Sequence, residues 1–179
     1  MANERSLALD IDYLGVAEPG DGVAGTEYIQ YPDIETVTFN FSEPKEISFT
    51  VMGREDPWAV VSKKADPSSI EYTIPSPTAE ELKAHCGGTV TGNKWEAPVS
   101  TPTIIKTIKL QSSPYDGKYT EYVFVKVSIA GRLSQAPGKE DTDLLLVKAT
   151  IMTPVSAAGV RSAPYGREVK PITVPPSGG

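Results

Sequence analysis

The chain has one histidine and one cysteine, and the two are neighbours, His85 and Cys86. The chemistry such residues suggest first is a thiolate activated by an imidazole. Adjacent positions on a helix diverge by about 100°, which keeps the two side chains from working as nucleophile and base. A thiol near a helix C-terminus also lacks the favourable dipole that lowers a cysteine pKa. A packing cysteine beside a histidine near the last helical carbonyls is the expected arrangement. With one residue of each type, the usual zinc ligand sets cannot be assembled within one chain. Asp10, Asp12 and Asp21 supply oxygen donors for calcium but lack the spacing of an EF-hand loop. Neither a metal nor a cofactor is expected.

Other motifs carry as little chemistry. Gly87-Gly88-Thr89-Val90-Thr91-Gly92-Asn93-Lys94 has the glycines of a phosphate loop. Its lysine comes one place late, no Ser or Thr follows, and the segment leaves a helix instead of entering one. A plain loop is expected there. Asn40-Phe41-Ser42 matches a glycosylation acceptor by chance. Carboxylates are numerous, yet no catalytic pair stands out. Tyr28, Tyr31, Trp58, Trp95, Tyr115, Tyr119 and Tyr122 are not interleaved with basic clusters, so core edges and subunit contacts are expected for them, not stacking on bases or sugars. The expectation is a protein that is not an enzyme.

The elements that would position these residues are mostly strands. Leu7, Leu9, Ile11 and Tyr13 alternate with Ala8, Asp10 and Asp12, the period of a half-buried strand. Val37, Phe39 and Phe41, then Ile47, Phe49 and Val51, repeat that pattern around Ser42-Glu43-Pro44, which predicts an antiparallel hairpin between the two. Trp58 to Val61 fits either a helical turn started by Asp56-Pro57 or a short strand. Ile70, Tyr72 and Ile74 form a strand that stops at Pro75.

One helix is expected, roughly Pro77 to Cys86, with Leu82, Ala79 and Cys86 as its apolar contacts. Either Ser76 caps it with Pro77 at the first helical position, or Thr78 and Glu81 form a capping box. Gly87 and Gly88 end it. Strands follow over Ile104 to Leu110, Tyr119 to Ala130, and Leu145 to Ile151. In the second of these Val123, Val125, Val127 and Ile129 are expected inward, with Thr120, Lys126 and Ser128 outward. Leu133 to Asp143 reads as a polar loop. Val169 to Val174 reads as a final edge strand broken by Pro171, and Pro175 to Gly179 as a mobile tail. About seven to nine strands with alternating faces call for a two-sheet antiparallel β-sandwich or barrel with one short flanking α-helix.

The chain has 179 residues, which suits one domain able to bury a core without disulfides or metals. Glycine (15) and proline (16) are spread along it, as turns between short strands require. The N-terminus has no basic start or apolar run of a secretory signal, and the single cysteine fits a reducing compartment, so synthesis in the cytoplasm and no membrane insertion are expected. The net charge of −6 argues against general nucleic-acid binding. Up to Phe41 there are eight acidic residues and one basic one, a balance of −7; the remaining 15 acidic and 16 basic residues leave +1. A subunit with its acidity at one end can stack head-to-tail on copies of itself.

The order of elements resembles a known family. A strand pair leads to the helix segment Ser76-Pro77-Thr78-Ala79-Glu80-Glu81-Leu82-Lys83-Ala84-His85-Cys86-Gly87-Gly88. The long strands Glu121 to Ile129 and Leu145 to Pro154 follow, and together these look like the tail tube (major tail) proteins of tailed bacteriophages. The resemblance covers about Leu7 to Pro154. It implies a tail-tube-like β-sandwich domain over residues 1–154 and a partly mobile C-terminal extension over 155–179.

It further implies a structural virion protein, made in the host bacterial cytoplasm, that assembles as stacked hexameric rings into a hollow tube. DNA would pass through without specific binding, and the partners would be further copies and the tape-measure, terminator and baseplate proteins. A negatively charged lumen would suit that passage. Asp10, Asp12, Glu18, Asp21 and Glu27 are the candidate lumen residues, and Lys139, Glu140 and Asp141 in the polar loop are candidates for ring-to-ring contacts. The alternative reading is a non-catalytic β-sandwich binding module of adhesin or carbohydrate-binding type.

Overall fold

The computed structural model describes residues 7–31, 33–64 and 66–172. The expected end tail, Pro175 to Gly179, lies outside the described residues. The chain is mainly β, with one helix, one large antiparallel sheet and two small ones, and fits a β-sandwich-like fold. The large sheet is built from β1 (Leu9–Ala17), β2 (Ile29–Gln30), β3 (Thr36–Asn40), β6 (Ser69–Pro75), β9 (Ile104–Ser113), β10 (Lys118–Gln135), β11 (Leu144–Ile151) and β12 (Tyr165–Pro171). Its order is β2-β1-β9-β10-β11-β6-β3, with β12 also paired to β10.

Two strands share one edge of β10. β12 pairs along Lys118 to Phe124 and β11 along Val127 to Gln135. The sheet thus splits where one partner ends and the other begins. It also curls, because the Phe39 ring on β3 lies 5.4 Å from Tyr122 and 5.9 Å from Phe124, and Phe41 stacks on Tyr165 at 5.2 Å. The edge strand β3 therefore faces β10 and β12 across the core, and Ile70, Tyr72, Ile108, Leu110, Phe124, Leu145 and Val147 fill the space between.

The split coincides with a β-bulge. Phe124 pairs with Ile108 and Val127 with Lys106, so three steps on β10 oppose two on β9. One extra residue reverses which side chains face the core. Before the bulge Phe124 and Thr120 are fully buried; after it Val127 and Ile129 are. The expected inward Val127 and Ile129 are found, whereas Val123 and Val125 are half-buried and Thr120, expected outward, is inside. Thr120 Oγ1 is the one buried side-chain polar atom without a hydrogen-bond partner among the described residues. Thr120→Val keeps the shape and removes that unpaired hydroxyl. It is expected to raise the unfolding free energy by about 1 kcal/mol, measured by urea denaturation.

The predicted hairpin between Val37–Phe41 and Ile47–Val51 is not formed. β3 pairs instead with β6, Phe39 opposite Ile70 and Val37 opposite Tyr72. β4 (Pro44–Phe49) leaves the sheet and pairs with β5 (Ala59–Lys64), so the ambiguous stretch after Trp58 is a strand. The reason is burial: β6 offers β3 a fully buried apolar partner, which β4 cannot.

The helix α1 (Ala79–Cys86) starts with the capping box. Thr78 Oγ1 accepts from Glu81 N at 3.3 Å, and Glu81 Oε2 accepts from Thr78 N at 2.7 Å. After it, β7 (Thr89–Thr91) and β8 (Lys94–Glu96) form a small hairpin where a plain loop was expected. Gly88, at φ +94°, is required there, since a Cβ would sit 2.2 Å from Glu96 O. Trp95 Nε1 donates to Gly87 O at 2.8 Å and so fastens the hairpin to the helix end.

Beyond Pro154 the described residues up to Ile172 pack back on the sandwich, and β12 joins the large sheet. β12 runs antiparallel to β10, and Asp21 Oδ1 accepts from Ala157 N at 2.6 Å. Ser162 Oγ donates to Gly22 O at 2.5 Å. The stretch from Val155 to Ile172 is thus an edge element of the sandwich, because β10 is long enough to pair with β12 and β11 in succession. The end of the expected strand, Thr173-Val174, lies outside the described residues.

Candidate assembly surface

The one histidine is a core residue. His85 is buried where α1 crosses the sheet, and its Nδ1 donates to Glu81 O at 2.8 Å. That bond leaves Nε2 to accept from the Tyr72 hydroxyl at 2.9 Å. Tyr31 packs edge-on at 4.9 Å. Both ring nitrogens are used, as a structural histidine requires. Cys86 packs against the core and against Gly131 of β10, where an added Cβ would lie 2.9 Å from both Cys86 Sγ and His85 O. Glycine at 131 is what lets the helix lie this close to the strand.

Burial lowers the His85 pKa, outweighing the opposing hydrogen bond to Glu81 O and the Glu81 charge. A histidine with a depressed folded pKa takes up its proton more readily in the unfolded chain. Its contribution to stability is full above the unfolded value of 6.5 and is lost as pH falls below it towards the folded pKa. The urea midpoint is expected to drop between pH 7.5 and pH 5. His85→Gln is expected to be less stable at pH 7.5 and to show a shallower drop.

The acidic residues singled out in the sequence do not converge. Asp10 and Asp12 are the extra residues of two successive irregularities in β1, between Leu9 and Ile11 and between Ile11 and Tyr13, opposite Ser113 to Gln111. Asp10 takes φ +52° and its Oδ1 accepts from Ile11 N at 2.8 Å. Glu18 pairs with Lys106 on β9. Asp21 holds Ala157, and Glu27 is exposed in the same connection. Lys139, Glu140 and Asp141 are exposed in the turn after β10, where Gly138 N donates to Asp141 O at 2.9 Å. Register puts Asp10 and Asp12 beside the start of β10 and this turn beyond its end, so the two sets lie at opposite ends of an 18-residue strand.

A carboxylate that sequence reading passed over is better placed. Glu121 on β10 is buried and accepts from Lys170 Nζ at 2.5 Å and from Gln111 Nε2 at 2.8 Å. Burial pushes its pKa up, but the hydrogen bonds from Lys170 and Gln111 and the Lys170 and Lys109 charges bring it below the usual carboxylate value. The pair ties β12 to β9 across β10. Beside it Lys109 Nζ sits 3.9 Å from the Tyr28 ring centroid and 5.7 Å from that of Tyr13. Nothing in the local sequence marks Glu121 as buried, because its partners come from two distant strands.

The β4–β5 hairpin is the surface that stands out. Neither strand pairs with the large sheet. Its base is clamped: Ser42 N donates to Ser68 Oγ at 3.2 Å, and Asp66 N donates to Ser42 Oγ at 3.0 Å. Register places Lys45, Ile47 and Phe49 opposite Lys63, Val61 and Ala59, so one face holds four apolar side chains with two lysines at its base. Phe49 is 46% exposed, Val61 43%, and Trp58 and Met52 near the tip 62% and 101%. A two-stranded hairpin is marginal in water unless its apolar face is covered. Among the described residues no helix is long and apolar enough to cross a membrane.

No protein-family model and no curated protein sequence matches this chain.

Proposed function

We propose that the chain is a structural subunit that assembles with copies of itself, as stacked hexameric rings forming the hollow tube of a phage tail through which DNA is ejected. The observation that carries self-assembly is the β4–β5 hairpin, fastened at its base by two hydrogen bonds and presenting an uncovered apolar face. Exposed apolar surface of this kind, on a fold whose one histidine is occupied in packing, is suited to holding subunits together. Among the described residues β2, β3 and β12 each have one edge without a strand partner, which offers further places for strand pairing between subunits. The tail-tube form of the assembly rests on the resemblance in the order of elements, and the tape-measure, terminator and baseplate proteins are the partners that form would have.

Negative-stain electron microscopy of the purified chain over a range of concentrations tests the reading. Rings or stacked tubes of uniform width are the expected result. Monomers at every concentration would overturn it and turn attention to a glycan- or protein-binding module.

A further inference from the structure

A second uncovered surface complements the hairpin. A cavity of ≈ 490 Å³ opens between the irregular part of β1 and the edge strand β3, lined on its apolar side by Ile11, Ile34, Val37 and Phe39. Two carboxylates, Asp10 and Glu35, stand at it, and neither has an ion-pair partner among the described residues. None of the residues lining it comes from the chain's own β4 or β5.

The hairpin carries the opposite pattern. Lys45 and Lys63 face one another directly across the two strands, an arrangement that like charges disfavour. Among the described residues neither has a carboxylate partner. They sit at the base of the face that presents Ile47, Phe49, Ala59 and Val61. An apolar face flanked by lysines without ion-pair partners thus meets a groove of mixed polarity, whose apolar wall is flanked by carboxylates without ion-pair partners among the described residues.

We infer that the β4–β5 hairpin of one copy docks in the β1–β3 groove of the next, Lys45 and Lys63 meeting Asp10 and Glu35. The inference rests on the self-assembly reading and deepens it by naming the two surfaces. The contact joins different patches on the two copies, so it is heterologous and propagates to a closed ring or an open stack. Hairpin-to-hairpin pairing base to base would instead bring four lysines together, and base to tip would leave Asp10 and Glu35 unused.

Charge exchange separates these arrangements. Lys45→Glu with Lys63→Glu makes a hairpin variant, and Glu35→Lys with Thr38→Lys makes a groove variant, all at exposed positions. Each alone is expected to raise the concentration needed for assembly, followed by sedimentation velocity, at least about tenfold. An equimolar mixture is expected to assemble as the parent does, because each reversed surface then finds its complement. That recovery also shows that both variants fold. If the parent assembles and the groove variant alone assembles equally well, the docking surface is wrong and self-assembly stands. Failure of the mixture to recover likewise overturns the docking. A parent that stays monomeric sinks both.

Discussion

Replacing Phe49, Trp58 and Val61 together by serine is expected to abolish assembly and leave the folded monomer intact. All three side chains lie on the β4–β5 hairpin, outside the core, and remain 43–62% exposed in the single chain. Their removal takes little from the folding free energy, so the urea midpoint of the monomer should stay within about 0.5 kcal/mol equivalent of the parent. Their removal from an interface is a different matter. Covering an aromatic or branched aliphatic side chain contributes about 1.5–3 kcal/mol, and association must first offset several kcal/mol of lost freedom. Three such losses outweigh any rim charges. Sedimentation velocity should show only monomer at concentrations where the parent forms large particles. Assembly that persists in the triple variant would mean that the hairpin is not the contact.

The contrast between the hairpin and the core shows what the sequence makes legible. β6 and β11 were readable because their alternation is complete: Ile70, Tyr72 and Ile74, and Leu145, Val147, Ala149 and Ile151, all point inward. The helix was readable from its caps, since Thr78, Glu81 and Gly87 act within one local segment. The partner of β3 was not. Phe39 and Ile47 both alternate with polar neighbours, and Ser42-Glu43-Pro44 between them has turn composition, so local pattern favours pairing the two. What decides otherwise is β6, some thirty residues further on, whose buried face no local window can weigh.

The candidate site suffered from the same limit. The acidity of the first forty-one residues is plain from composition, but composition does not say that Glu18 is matched by Lys106 or that Asp21 anchors Ala157. Nor does it say that Asp10 shares a groove with Glu35. The exposed hairpin face could be read only once β4 was known to leave the sheet. Phe49 and Val61 look like core residues in the sequence; it is the topology that exposes them.

Phe124→Ala is expected to cost about 3–5 kcal/mol, whereas its neighbour Val125→Ala should cost about 1 kcal/mol or less. Strict alternation from Val123 to Ile129 would assign the larger cost to Val125. The bulge between Phe124 and Val127 reverses that order. Phe124 is completely buried, and its ring lies within 5.8–6.5 Å of Phe39, Phe41 and Tyr165. Those rings belong to β3, the segment leading to the hairpin, and β12, so truncation leaves a cavity where the two layers close on each other. Val125 has no such role: it is half-buried, and its backbone N–H donates to Pro164 O at 3.0 Å whatever the side chain. Urea denaturation of the two variants, at a concentration that keeps the chain monomeric, measures the difference directly. A loss of 3–5 kcal/mol is a large part of the 5–15 kcal/mol typical of a folded domain. Because Phe41 leads into Ser42 at the hairpin base, Phe124→Ala should also weaken assembly before it unfolds the chain. Equal costs at the two positions would mean that β10 runs without the bulge, and that Thr120 faces solvent instead of the core.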